Sequence, residues 1–123
     1  MKIKIVLPLP PSINVAFANR VVVNKLYRAR GRMKTGAYLK WQEEAKRALV
    51  GLKFTPIAGR YSLEIFVPEK MRGDVSNRIK LCEDFLVKQG VTPDDRHAWR
   101  VSVERSDSIQ DGLCLVVIED IAA

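Results

Sequence analysis

Residues 74–95 read DVSNRIKLCEDFLVKQGVTPDD and predict an amphipathic helix followed by a proline turn. Ile79, Cys82 and Leu86 lie at helical spacing on one apolar stripe, so we expect a helix from about Asn77 to Gln89. Strand-like segments lie on both sides of this helix along the chain. Alternation of this kind is typical of a domain in which helices pack on a β-sheet.

The rest of the chain predicts five strands and one further helix. Thr35 is a favourable N-cap for a helix that runs to about Leu49. The predicted strands are Lys2–Leu7, Val21–Arg28, Arg60–Pro68, Trp99–Glu104 and Leu113–Ile118. The last strand is a continuous apolar run, which predicts a central position in the sheet.

Two connecting segments have the glycine and polar content typical of loops. ARGRMKTG at residues 29–36 is dense in arginine and lysine and predicts a loop. SDSIQDG at residues 106–112 predicts a hairpin turn between the last two strands. The predicted fold is therefore α+β, with one mixed sheet of about four to five strands and two helices packed on it. A single domain spans residues 1–123.

Composition excludes several classes of protein. The 123-residue chain is 47% apolar and 28% charged, which is ordinary for a globular domain in water. No window reaches the roughly 18 apolar residues of a membrane span, and the N-terminal apolar run is too short for a signal peptide. We therefore expect no membrane partner and a cytoplasmic location. Cys82 and Cys114 lack metal-ligand spacing and are expected to be buried thiols.

Charge is distributed unevenly along the chain. The formal net charge is +7, and residues 1–42 contain nine Lys or Arg and no Asp or Glu. Residues 43–123 contain twelve basic and fourteen acidic residues. A basic excess concentrated in an acid-free segment favours a phosphate-backbone partner.

Polar residues at the start of the predicted helix carry two alternative interpretations. Asp74 and Ser76 are both suited to capping a helix. Asn77, Lys80 and Asp84 follow at helical spacing and share one face. Lys80 and Asp84 form either a solvated ion pair or part of a site in which the lysine meets a phosphate oxygen.

Asp94 and Asp95 follow Pro93 in the predicted turn. Turn chemistry explains one aspartate, but adjacent carboxylates repel each other, so a nearby cation or Arg96 would better explain the pair. Mg²⁺ takes one or two carboxylates together with water and substrate phosphate. Asp74 and one residue of the pair would satisfy this requirement, and the bound ion would support phosphodiester hydrolysis.

The order of several motifs resembles that of the RusA family of Holliday-junction resolvases. The shared features are PPSIN at 10–14, YSLEIFVP at 61–68, D-x-x-N-x-x-K at 74–80 with Asp84 one turn later, and G-x-x-x-D-D at 90–95. The resemblance extends from Pro10 to about Val103. It implies a RusA-like fold and a homodimeric, Mg²⁺-dependent endonuclease, with Mn²⁺ as an alternative ion, that makes paired nicks in four-way DNA junctions.

The resemblance also implies roles for individual residues. Asp74 and Asp95 match the metal-binding acidic residues, with Asp94 beside the second, and Lys80 matches the catalytic lysine. Asn77 and Asp84 match further motif positions. The chain departs from the family at Ser76, where a second aspartate is typical.

Serine is a weaker, neutral ligand, so a protein that binds junctions without cutting them is the first alternative. The second is a general RNA- or single-strand-binding module, which requires exposed aromatic rings. Tyr38 and Trp41 are instead expected in a helix core. The residues expected to contact the DNA backbone are Arg28, Arg30, Arg32, Lys34, Arg72 and Arg78.

Overall fold

A computed structural model describes the backbone of residues 1–23 and 28–121, and the side chains of those ranges except Asn14 and residues 17–33. Two short 3₁₀ turns, Val75–Arg78 and Asp95–His97, supplement the helices and strands. The helices and strands are β1 (Lys2–Pro8), α1 (Ile13–Ala16), β2 (Phe17–Val23), β3 (Arg28–Lys34), α2 (Gly36–Ala48), β4 (Tyr61–Pro68), α3 (Ile79–Lys88), β5 (Ala98–Ser106) and β6 (Leu113–Asp120).

Four strands form one mixed sheet in the order β1-β6-β4-β5. The β1–β6 and β6–β4 pairs are antiparallel, and the β4–β5 pair is parallel. With two longer helices, α2 and α3, this confirms the predicted α+β fold and the central position of the strand at Leu113–Asp120. The predicted hairpin at residues 106–112 is wrong, because β4 lies between β5 and β6.

The parallel pairing of β4 with β5 explains the position of the helix between them. Parallel neighbours need a crossover connection, which is usually helical. Here the crossover contains the first 3₁₀ turn, α3 and the second 3₁₀ turn. Asp74 therefore follows the carboxyl end of β4, whereas Asp94 and Asp95 precede the amino end of β5.

Alternate side chains of the strands form the core against the helices. Leu7, Leu63 and Ile65 are each at most 1% exposed, and full burial of such a side chain contributes about 1.5–3 kcal/mol. From α2, Trp41 packs edge-on against Phe85 of α3 with ring centroids 5.4 Å apart. Its indole Nε1 donates a 2.7 Å hydrogen bond to the carbonyl of Pro8 at the end of β1.

Several predictions about the core are confirmed. Tyr38 and Trp41 are 2% and 3% exposed, so neither ring is available for stacking on a base. Cys82 and Cys114 are free and buried. The contact with Cys114 and burial raise the pKa of the Cys82 thiol well above its usual value.

The two helices begin in different ways. Thr35 caps α2 as predicted, since its Oγ1 accepts a 3.3 Å hydrogen bond from the Tyr38 N–H. The same hydroxyl donates to the carbonyl of Val15 at 2.9 Å, which joins α2 to α1. The second helix begins later than the predicted Asn77, because residues Val75–Arg78 form a 3₁₀ turn and α3 starts at Ile79.

The basic segment near the N-terminus differs from its prediction. Residues 28–34 form β3, an antiparallel partner of β2 in a separate two-stranded ribbon, so the predicted loop at 29–36 is wrong. A loop would leave its backbone N–H and C=O groups bonded to water, whereas here they form hydrogen bonds with the backbone of β2. The predicted strand at 21–28 includes residues 24–27, which lie outside the described part of the chain.

Among the described residues, no helix is both long enough and apolar enough to cross a membrane.

Candidate functional site

Lys80 is the centre of a group of charged side chains at the surface. Its ammonium Nζ lies 3.0 Å from Oδ1 of Asp84 and 3.0 Å from Oδ2 of Asp95. The Asp84 pair is an i, i+4 contact within α3, whereas Asp95 comes from the turn before β5. The three side chains are 51%, 39% and 37% exposed, so all are accessible to a large ligand.

The two carboxylates stabilise the charged form of Lys80. Hydrogen bonds from Lys80 to Asp95 and then to Asp84 hold the pKa of this ammonium well above its usual value. Lys80 is therefore a fixed positive charge at physiological pH and a poor general base. Its chemistry is limited to electrostatic contact with an anion, such as a phosphate oxygen.

Asp94 and Asp95 are paired with different cations. Asp94 caps the second 3₁₀ turn, where its side chain accepts a 2.9 Å hydrogen bond from the Arg96 N–H. Its Oδ2 also lies 3.6 Å from Nε of Arg96. The hydrogen bond from the Arg96 backbone lowers the pKa of the Asp94 carboxyl. Arg96 and Lys80 together explain how the adjacent carboxylates coexist.

Asp74 stands at the N-cap position of the first 3₁₀ turn, but its side chain makes no capping hydrogen bond. The turn instead uses the Asp74 carbonyl, which accepts a 3.2 Å hydrogen bond from the Asn77 N–H. Ser76 contributes its carbonyl in the same way, to the Ile79 N–H. Helix capping therefore does not account for the Asp74 carboxylate, which is exposed.

The loop before Asp74 is held by an arginine that the sequence did not single out. From β5, the guanidinium of Arg105 donates to the carbonyls of Glu69 at 3.0 Å, Met71 at 2.5 Å and Gly73 at 3.0 Å. Gly73 has a φ of +89°, a conformation that favours glycine. These constraints fix where the backbone enters Asp74. Three carbonyl contacts from a strand-end arginine leave no local sequence signal.

Glu83 and Tyr61 are two further neighbours of the site that sequence reasoning missed. Burial, reinforced by Asp95 and Asp84, raises the pKa of the Glu83 carboxyl, although Lys80 opposes the shift. Burial raises the pKa of Tyr61 to about 12, with Glu83 and Asp95 adding to the effect. In the sequence, a tyrosine on a strand is read as a core residue and a glutamate on a helix as a solvent-facing residue, so neither Tyr61 nor Glu83 was singled out.

The carboxylates do not form a compact metal-binding group. Over residues 1–23 and 28–121, the structure has no set of three or more His, Cys, Asp or Glu side chains arranged to hold a metal ion. Mg²⁺ needs only one or two protein carboxylates when water and phosphate complete its shell. The exposed Asp74 and the half-buried Asp95 carry carboxylates of the donor type that this ion takes, and Asp95 already shares one oxygen with Lys80. Among the described residues, no hydrogen bond or ion pair joins the Asp74 carboxylate to this group.

The predicted DNA-contacting residues fall into three structural settings. Arg78 is held within the fold, since its Nη1 donates to the Pro10 carbonyl and its Nη2 to the Arg72 carbonyl at 3.2 Å. Burial lowers the pKa of its guanidinium. Arg72 is exposed. Lys34 lies next to α2 and α3, and Arg28, Arg30 and Arg32 occupy positions of β3 whose side chains are outside the description.

Comparison with known proteins assigns no family to this chain, since no protein-family model and no curated protein matches it.

Proposed function

We propose that the protein is a Mg²⁺-dependent endodeoxyribonuclease of the RusA type, which resolves four-way DNA junctions by paired phosphodiester nicks. The observation that carries this proposal is the position of Lys80, with its ammonium 3.0 Å from both Asp84 and Asp95 at an exposed surface. A lysine held between carboxylates can contact a phosphate that a carboxylate-bound cation also contacts. Lys80 and Asp84 belong to α3 and Asp95 to the turn before β5, so this group is more than an ion pair within one helix.

The overall charge supports an anionic substrate despite the local carboxylates. The net charge of +7 attracts polyanions over the length of the Debye screening distance. Acidic groups inside a basic protein are unfavourable for DNA binding unless a cation neutralises them. Lys80 and Arg96 already pair with Asp95 and Asp94, so the group that a divalent cation would neutralise on DNA is the exposed Asp74 carboxylate, which caps no helix.

In the proposed mechanism, Asp74 and Asp95 would hold Mg²⁺, with Asp94 in support. A bound divalent ion supplies an activated water and stabilises the leaving oxygen. Lys80 would stabilise the negative charge that develops on the cleaved phosphate. If Asp95 held the ion, Asp84 would keep the Lys80 ammonium in place, because its Oδ1 lies 3.0 Å from the same ammonium.

Paired nicks require two equivalent sites, which a closed two-fold homodimer would provide. The molecular mass of the chain is 13.9 kDa. Light scattering combined with size exclusion should give twice this mass for the free protein. A monomeric mass both alone and on a junction would exclude the paired mechanism.

A cleavage assay on a synthetic four-way junction with Mg²⁺ tests the function directly. Asp95→Asn removes the charge that Lys80 and the metal share, so cleavage should fall on the order of 10²-fold or more. Asp111→Asn is the matched control, because this exposed aspartate lies in the loop before β6. Equal cleavage by the two variants would exclude the proposed site.

A non-catalytic junction-binding protein is the second candidate. It is favoured by the neutralisation of Asp94 by Arg96 and of Asp95 by Lys80, which needs no metal ion. Ser76 also supplies no charge where the RusA motif has an aspartate. Tight junction binding by the wild type, without cleavage in Mg²⁺ or Mn²⁺, would favour this candidate over the nuclease.

A further inference from the structure

We propose that one face of the β2–β3 ribbon is a track for the sugar-phosphate backbone of a DNA duplex and leads to the Lys80 site. This inference rests on the proposed function, because it names the part of the substrate that lies beyond the cleaved phosphate. It differs from a general basic patch in one respect. Only one of the two faces of the ribbon is assigned to DNA.

The register of the ribbon separates the basic residues into two unequal sets. Arg28, Arg30, Arg32 and Lys34 occupy every second position of β3, and alternate positions of a strand belong to the same face. Arg20 of β2 is the cross-strand partner of Gly31. Directly paired positions share a face, so Arg20 belongs to the opposite one.

Neither strand of the ribbon contains an acidic residue. The cross-strand partners of the basic face on β2 are Phe17, Asn19, Val21 and Val23, none of which is acidic. Residues 1–42 contain no Asp or Glu at all. Four positive positions in a row, without an internal counter-ion, are complementary to a phosphate backbone.

Lys34 is the end of this face that lies nearest to the helices. The Lys34 ammonium lies 5.2 Å from the centre of the Tyr38 ring and 3.5 Å from Oε1 of Gln42, both on α2. Its other electrostatic neighbours are Lys88 and Asp84 of α3. Lys34 thus lies beside the helix that carries Lys80, and the basic face begins where the candidate site ends.

Lys34 and Lys88 also form a small site of positive charge, which Asp84 offsets only in part. Burial lowers the pKa of Lys34, and repulsion from Lys88 lowers it further. A phosphate between the two ammonium groups would relieve this repulsion. On α3, Lys88 follows Lys80 and Asp84 at steps of four residues, so all three share one helical face.

The dimensions suit a duplex. Positions 28 and 34 are six residues apart, or about 20 Å along an extended strand. Duplex DNA presents one phosphate for about every 1.7 Å of its axis. A 20 Å row of four cations can therefore contact several phosphates of a duplex, so binding does not require a single-stranded region.

A pair of single substitutions tests whether one face is used. Arg30→Gln and Arg20→Gln each remove one charge from the middle of the ribbon, but on opposite faces. Binding of a labelled junction and of a linear duplex would be measured in EDTA over a range of salt concentrations. Arg30→Gln should lower the slope of log K against log salt by about 0.9 and weaken binding about eightfold near 0.1 M salt. Arg20→Gln should change neither quantity.

Each outcome decides the proposal. Equal losses of affinity in the two variants, or no loss in Arg30→Gln, would overturn the one-faced track. Arg32→Gln, on the same face as Arg30→Gln, should weaken binding to the same extent. Competition by single-stranded DNA or RNA as strong as that by duplex would overturn the duplex assignment. Because EDTA prevents cleavage, face-selective binding by a protein that never cuts would overturn the nuclease alone. Cleavage by a protein whose two variants bind equally would overturn the track alone.

Discussion

The Lys80 ammonium and the Asp95 carboxylate lie 3.0 Å apart, although fifteen residues separate them in the chain. The contact closes the crossover between the parallel strands β4 and β5, because Lys80 belongs to the start of α3 and Asp95 to the turn before β5. Lys80 therefore has two roles. It ties the end of the crossover to its beginning, and it presents a positive charge at the surface.

Replacing Lys80 should separate metal binding from cleavage. In Lys80→Met, Asp84 and Asp95 lose the cation they share, so Asp95 becomes more available to a divalent ion. Calorimetric titration with Mn²⁺ should show tighter binding, whereas junction cleavage should fall on the order of 10²-fold because charge on the phosphate is no longer stabilised. Stability should fall by about 1 kcal/mol or less, as is usual for exposed ion pairs.

Lys40→Met is the matched control for this prediction. Lys40 forms the same kind of i, i+4 pair, with Glu44 on α2 at 3.9 Å, but has no second acidic partner in the described part of the chain. It should leave both the Mn²⁺ affinity and the cleavage rate unchanged. Weaker Mn²⁺ binding in Lys80→Met would show that Lys80 positions the carboxylates rather than competing for them.

Arg105 should control the order of the loop that leads to Asp74. Arg105→Ala removes hydrogen bonds to three carbonyls, of Glu69, Met71 and Gly73. We expect faster amide hydrogen exchange in residues 69–74, a loss of about 1–2 kcal/mol in the free energy of unfolding, and slower cleavage. Exchange measured by mass spectrometry and urea unfolding would report the first two effects.

Arg100→Ala provides the comparison, since Arg100 is exposed on the same strand. Arg105→Lys should restore little, because a lysine cannot reach three carbonyls with the fork geometry of a guanidinium. If exchange in residues 69–74 were the same in Arg105→Ala and Arg100→Ala, the clamp would not determine the order of this loop.

Local signals explain why α2 could be predicted from the sequence while β3 could not. The N-cap at Thr35 and the apolar stripe through Tyr38 and Trp41 are contained within one helix. The strand character of residues 28–34 depends on pairing with β2, several residues away. Glycine and a high charge density then favoured a loop, and tertiary pairing overrode that preference.

In the candidate site, too, the local contacts could be predicted from the sequence and the long-range contacts could not. The spacing of Lys80 and Asp84 on one helical face was visible in the sequence, and the structure brings them to 3.0 Å. The contact with Asp95 depends on how the chain returns after α3, which no local pattern encodes. Arg105 was invisible for the same reason, because its carbonyl partners lie more than thirty residues earlier.

Glu83 should make stability depend on pH in a predictable direction. In the folded protein its pKa is raised above the ordinary value of 4.5, chiefly by burial. As the pH rises through that value, the unfolded chain loses the proton first, so the free energy of unfolding falls until the folded pKa is passed. Glu83→Gln carries no charge and should therefore be more stable than the wild type at neutral pH.

The advantage of Glu83→Gln should disappear below pH 4.5, where the wild-type carboxyl is protonated in both states. Urea unfolding of both proteins at the two pH values would measure it. Glu43→Gln, at an exposed position of α2, controls for the loss of a glutamate from a helix. A Glu83→Gln protein less stable than the wild type at neutral pH would contradict the assignment of burial as the dominant cause.

Ser76→Asp should strengthen the metal site. Ser76 is exposed within the 3₁₀ turn, two residues after Asp74, so an aspartate there adds a second charge without entering the core. Cation affinity increases with the number of charged oxygen ligands, and we expect about tenfold tighter Mn²⁺ binding, or about 1.4 kcal/mol. Junction cleavage in limiting Mg²⁺ should increase in parallel.

Ser102→Asp adds the same charge at an exposed position of β5 and serves as the control. It should leave metal affinity unchanged, because a single added charge in solvent is largely screened at physiological salt. If Ser76→Asp tightens Mn²⁺ binding but does not speed cleavage, Ser76 lies near the ion and another step limits the reaction. If it changes neither quantity, residue 76 does not lie beside a bound metal ion.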